Sequence, residues 1–101
     1  MKIESHKTEE KLYLKISGRI DTVTALDFQK EMEVFLKYEI KPNIEMDCSD
    51  LEYTSSQGLR TFLLVQKEVS AKEGNLVLTN MKPEVKEVFD VTGFSNIIKI
   101  I

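Results

Sequence analysis

One histidine, one cysteine and four scattered glycines are all that this 101-residue chain offers to several common chemistries. Hydrolysis by an activated serine needs a base beside the nucleophile. His6 stands near the N-terminus, where an edge strand is expected, and no G-x-S-x-G elbow surrounds Ser55 or Ser56. No pair of histidines or cysteines has metal-ligand spacing, so neither a metal nor another cofactor is expected. Gly18, Gly58, Gly74 and Gly93 lie too far apart for a dinucleotide fingerprint or a P-loop. Cys48 has no second cysteine to pair with, and a reduced, cytoplasmic setting is the expectation. Long apolar runs are missing too: none approaches the ~20 residues of a membrane helix. The opening "MKIESHKTEEKLYLKISG" lacks the apolar centre of a signal peptide. Direct membrane insertion is therefore not expected. Nor is there a basic excess, with 17 acids against 14 bases and a net charge of -3. Nucleic-acid binding wants a basic face, and these lysines are scattered. These gaps argue against an enzyme.

What is present suits a folded domain. The chain is 42% apolar and 31% charged, and its length supports one core rather than two. Leu12, Leu14 and Ile16 alternate with Lys11, Tyr13 and Lys15, the period of a half-buried strand, and an earlier strand fits residues 2 to 7. Beyond "SGRID" the period lengthens. Ala25, Phe28, Met32, Phe35 and Leu36 share one helical face, with Asp21 or Thr22 as the natural N-cap and an end before Pro42. "NIEMDCSDL", residues 43 to 51, alternates again and places Cys48 on the apolar side as a buried, inert thiol. A second helix is expected from Ser56 to Lys72, with Leu59, Phe62, Leu63 and Val69 inward and Gly74 as its stop. "NLVLTN" has the composition of a strand buried on both faces. Pro83 opens a third helix with Val85, Val88 and Phe89 inward, and "NIIKII" closes as a strand. The order β-β-α-β-α-β-α-β predicts a single α/β domain over residues 1–101 with a mainly parallel sheet.

One stretch resists a purely structural account. In "DLEYTSSQGLRTFLLVQKEV", the polar cluster Thr54-Ser55-Ser56-Gln57-Gly58 falls where a strand gives way to a helix. In open α/β sheets the carboxyl edge is where binding sites collect. A helix N-terminus presents free N–H groups and partial positive charge, which favour an added phosphate. Serine is also a leading N-cap residue. The cluster is thus either a cap, with Ser55 or Ser56 as the capping residue, or a phosphoacceptor.

"GRID" at 18–21, "DLEYTSSQGLRTFLL" at 50–64 and "FDVTGFSNIIKI" at 89–100 resemble the anti-sigma factor antagonists. These are single-domain members of the STAS family, and the resemblance spans essentially the whole chain. Family members of this kind bind an anti-sigma factor that is also a serine kinase. They are phosphorylated in the serine turn, release the kinase, and are reset by a phosphatase. The family's Asp-Ser-Ser-Gly-Leu turn falls on Ser55-Ser56-Gln57-Gly58-Leu59. The resemblance therefore implies Ser56 as phosphoacceptor, with Ser55 as second choice. It also implies a partner surface drawn from Asp21, Thr22, Thr54, Ser55, Gln57, Gly58 and Leu59. Ser55 replaces an aspartate and Gln57 a small residue, and Ile101 falls where many relatives continue into another helix. The competing reading is a lone STAS accessory subunit of a membrane transport complex that exports lipid, with the hydroxyl turn as a contact surface.

Overall fold

A computed structural model describes residues 1–101. Its elements, in order, are β1 (Lys2–Lys7), β2 (Leu12–Ile20), α1 (Thr24–Lys37), β3 (Asn43–Thr54), α2 (Ser56–Ala71), β4 (Asn75–Thr79), α3 (Pro83–Val91) and β5 (Lys99–Ile100), with a 3-10 turn at Phe94–Asn96 before β5. The expected alternation of strands and helices is present. The sheet has the order β1-β2-β3-β4-β5. β1 and β2 form an antiparallel hairpin, and every later pair is parallel. Strands laid down in sequence order through right-handed crossovers put every helix on the same face. The aromatic core agrees: Phe28, Phe62 and Phe89, one from each helix, meet edge to face at 4.9 and 5.3 Å. The facing side chains of the sheet, Leu12, Leu14, Ile16, Ile44, Met46 and Leu78 among them, complete the core.

This arrangement corrects the reading of "NLVLTN". Only one face of β4 is covered; Leu76 and Leu78 are buried beneath the helices, while Val77 is half-buried on the open side. The final strand is also shorter than expected. Residues 94–96 coil into the 3-10 turn, Ile98 drops into the core, and only Lys99 and Ile100 pair, with Val77 and Leu78.

Two irregularities matter for the site. Relative to β2, β3 takes an extra residue between Lys15 and Ser17 and another between Gly18 and Arg19. Such bulges reset which side chains point inward. Ile44, Met46 and Cys48 are buried in alternation, but the next buried residues are Leu51 and Thr54, each three positions on. The strand thereby runs past the expected end at Leu51 and carries Thr54 inward. In α2 the inward face is Gly58, Leu59, Thr61, Phe62, Val65 and Val69. Leu63, expected inward, is half-buried on the flank. The helix is closed by a left-handed residue, but that residue is Glu73 (φ 57°), not Gly74. Gly74 serves a close approach instead: a Cβ there would lie 1.9 Å from the Pro42 carbonyl oxygen.

Candidate functional site

The polar cluster is assembled by the adjacent ends of β2 and β3, where Ile20 stands in register with Thr54. Pairing continues one step further, because the Ser55 N–H donates to the Ile20 carbonyl at 2.7 Å. Both strands then turn into helices on the same side. Asp21 caps the first of these: its Oδ1 accepts the N–H of Thr24 at 2.8 Å and of Val23 at 3.0 Å, and the Ala25 N–H donates to its carbonyl. The Thr24 hydroxyl adds a bond to the same carboxylate. These bonds, the one from the Thr24 N–H first, hold the Asp21 carboxyl below its ordinary value of 3.8. Of the two capping candidates the carboxylate prevails, and Thr22 is left exposed.

At the start of α2 the two serines divide their roles. Ser55 has an extended backbone (φ -81°, ψ 174°), and its Oγ accepts the Gly58 N–H at 3.2 Å, bonding the third helical residue as an N-cap does. Its carbonyl takes the first helical bond, from the Leu59 N–H. Ser55 is 7% exposed and Thr54 4%. Ser56, at the first helical position, is exposed. The uncertainty between the two capping serines is thus resolved in favour of Ser55. Gly58 makes the junction possible. A Cβ at that position would meet Thr54 Oγ1 at 2.3 Å and Ile20 Cγ2 at 2.7 Å.

Exposure divides the residues that the resemblance assigns to a partner surface. Asp21, Thr22, Ser56 and Gln57 face solvent, whereas Thr54, Ser55, Gly58 and Leu59 are buried. The buried four shape the turn and leave the outer positions to meet anything that docks. Three surface residues escaped the sequence reading. Val23, just before α1, and Leu26, on its first turn, are 73% and 60% exposed. Arg60 lines a shallow groove of about 210 Å³ between α1 and α2, together with Thr22, Leu26 and Gln57. The available signal was an apolar residue, Leu26, off the inward spacing of its helix. On the open side of the sheet, the Arg19 guanidinium stacks over the Tyr53 ring at 4.5 Å.

The remaining reactive groups lie elsewhere or are silenced. His6 pairs in register with Tyr13, seven residues before Ile20 along β2, which at about 3.3 Å per residue is roughly 23 Å from the serines. Burial pushes the Cys48 thiol up to about 12. No group of His, Cys, Asp and Glu side chains could hold a metal ion. No helix is long and apolar enough to cross a membrane.

Comparison with known proteins finds the STAS domain profile matching residues 2–101. The chain is 32% identical over 100 residues to BtrV of Bordetella bronchiseptica, a protein provisionally named an anti-sigma factor antagonist, covering 99% of this chain and 85% of the relative. It is 31% identical over 87 residues to the anti-sigma-B factor antagonist of Listeria monocytogenes, covering 84% and 74%. Among solved structures it resembles the anti-sigma factor antagonist SpoIIAA in its unphosphorylated form, with a TM-score of 0.82, 19% identity and coverage of 99% and 88%. SpoIIAA from Bacillus in its phosphorylated form aligns with a TM-score of 0.72 at 18% identity, covering 99% and 91%.

Proposed function

The chain belongs to the STAS domain family, and we propose that within it the protein acts as an anti-sigma factor antagonist. On this reading it is a cytoplasmic binding protein rather than an enzyme, and it needs no cofactor. Its partner is an anti-sigma factor that is also a serine kinase, and holding that partner frees a sigma factor for transcription. The kinase ends the complex by passing the γ-phosphoryl group of ATP to Ser56 Oγ; ADP leaves and the hydroxyl gives up its proton. A phosphatase restores the serine.

The observation that carries the reading is the contrast between two neighbouring hydroxyls. Ser55 is buried and committed to the helix cap, while Ser56 is exposed one residue further on. A kinase needs an accessible hydroxyl, and the second choice, Ser55, lacks that access. The helix N-terminus tolerates the new charge of about -1.5 to -2 within the fold. A partner packed over Ser56 does not, because a buried charge without a mate is costly. Val23 and Leu26 supply apolar area beside Asp21, Thr22 and Gln57, as a docking surface needs at its centre.

The test begins with the chains that co-purify with this protein from its own cells. An associated serine kinase, incubated with ATP, should label wild type and leave Ser56→Ala unlabelled. Titration calorimetry should then rank the affinity for that kinase as Ser56→Ala equal to or above wild type, and Ser56→Asp clearly below it. Labelling that survives in Ser56→Ala and disappears in Ser55→Ala moves the acceptor by one residue. A transporter ATPase as the co-purifying chain, bound with equal affinity by all three proteins, would replace this reading with the transport-accessory one.

A further inference from the structure

We propose that Arg60 is the built-in counter-ion of a phosphate on Ser56. This deepens the function proposed above and rests on Ser56 as the acceptor. The chain has two arginines, and both stand at the carboxyl edge of the sheet. Its six ion pairs use lysines alone. Arg19 is occupied by its stack on Tyr53. Arg60 is exposed and in no ion pair.

Helix geometry narrows what Arg60 can reach. Residues three and four apart are neighbours on a helix surface. For Arg60 these are Ser56, Gln57, Leu63 and Leu64, none of them acidic. The first turn of α2 carries no acid either. The groove between α1 and α2 that Arg60 lines contains no carboxylate. Elsewhere in the chain, Lys72 pairs with Glu68 and Lys86 with Asp90 at this same four-residue spacing. The position that would hold an acid for Arg60 is held by Ser56.

Phosphorylation fills that gap. An anion four residues N-terminal to a cation has the favourable orientation on a helix. The planar guanidinium matches phosphate oxygens with two parallel hydrogen bonds. The other charged groups at this end include Asp21, already bonded within the cap of α1, the N-terminal ammonium that acts on it, Arg19 stacked on Tyr53, Glu52 near the end of β3, and Lys82 and Glu84 at the start of α3. One guanidinium neutralises part, not all, of the phosphate charge. The modified site therefore keeps a net negative surface, and Arg60 is withdrawn from anything it met before modification.

The test needs no kinase. Phosphoserine is encoded genetically at position 56, alone and with Arg60→Gln or Arg60→Lys, and the phosphate is titrated by 31P NMR. Removing the counter-ion should raise the second phosphate pKa by about 0.3–1 unit, with Arg60→Lys in between. The difference should shrink in high salt. Unmodified Arg60→Gln should melt as the unmodified wild type does, whereas the phosphorylated protein should lose stability when Arg60 is replaced. Identical titrations in the arginine and glutamine proteins would overturn the pairing. So would an equal loss of stability with and without the phosphate, which would mark Arg60 as a general structural residue. A kinase that ignores Ser56 would instead remove the proposed function and leave this pairing standing.

Discussion

Replacing Gly58 with alanine sets two effects of opposite sign against each other. Alanine is preferred to glycine within a helix by about 0.8–1 kcal/mol, so propensity alone predicts a more stable protein. The packing predicts the reverse. The new methyl group would start 2.3 Å from Thr54 Oγ1 and 2.7 Å from Ile20 Cγ2, where ordinary contact begins near 3.4 Å. Neither neighbour can give way easily. Both are β-branched, with stiff χ1 angles, and Thr54 is 4% exposed and Ile20 0%. Overpacking of this kind costs typically about 1–3 kcal/mol. Subtracting the propensity gain leaves a net loss of up to about 2 kcal/mol.

For a domain of this size, each kcal/mol lowers the melting temperature by about 4–8 °C. Urea and thermal unfolding of Gly58→Ala should both show the loss. The origin of the strain can be checked in a cycle with Thr54→Ala, which removes the nearer of the two atoms. Gly58→Ala should cost less in that background, by at least about 0.5 kcal/mol. A Gly58→Ala protein that melts at or above wild type would refute the argument, and with it the claim that this glycine sets how closely α2 approaches the strand ends.

Two further outcomes follow from the packing and the caps. Phe62→Ala breaks the aromatic line across the three helices and should cost about 3–5 kcal/mol in denaturant unfolding, whereas Leu63→Ala should cost only about 1; a larger loss at Leu63 would mean that the inward face of α2 is misassigned. Asp21→Ala should melt below wild type, with Asp21→Asn closer to it. Hydrogen bonds lower the folded Asp21 pKa, so its stabilisation is present above its ordinary value of 3.8 and is lost as pH falls through the lower folded value. The gap between wild type and Asp21→Ala should hold from pH 7 to 5 and narrow below about 3.8; a gap constant into strong acid would contradict this.

Much of this molecule is legible in its sequence, and the misreadings have physical causes. The inward face of α1 was readable because Ala25, Phe28, Met32 and Leu36 recur at three- and four-residue spacing, even with Leu26 and Val34 exposed beside that face. In α2 the run Phe62-Leu63-Leu64-Val65 is apolar all the way round, so periodicity alone cannot choose its inward members. The neighbouring helices and the sheet choose, and they take Phe62 and Val65. The two bulges in β3 are equally hidden, since they depend on how the strand pairs with β2. They determine where β3 ends. That end determines which serine caps α2, a choice the residues alone leave open, while the resemblance implies Ser56 for the phosphoacceptor.

Under the proposed function, the choice between those serines also decides what kind of switch the site would be. The N-terminus of α2 is fixed by the Ser55 N–H bonded to Ile20, by the Ser55 hydroxyl bonded to Gly58, and by the contact of Gly58 with Thr54 and Ile20. A phosphate on Ser55 would have to displace the cap bond and enter space already filled by the buried Thr54. It would loosen the ends of both strands and the start of both helices, and the signal would be a local loss of order. A phosphate on Ser56 breaks none of these constraints, because that side chain is exposed at the first helical position. The backbone can then remain as it is while the surface changes charge. A rigid switch suits a partner that must tell two forms of one protein apart by surface alone, and it leaves the fold intact for a phosphatase to reset. Under the proposed function, the exposed Ser56 suits such a charge-gated interface, and the buried Ser55 does not.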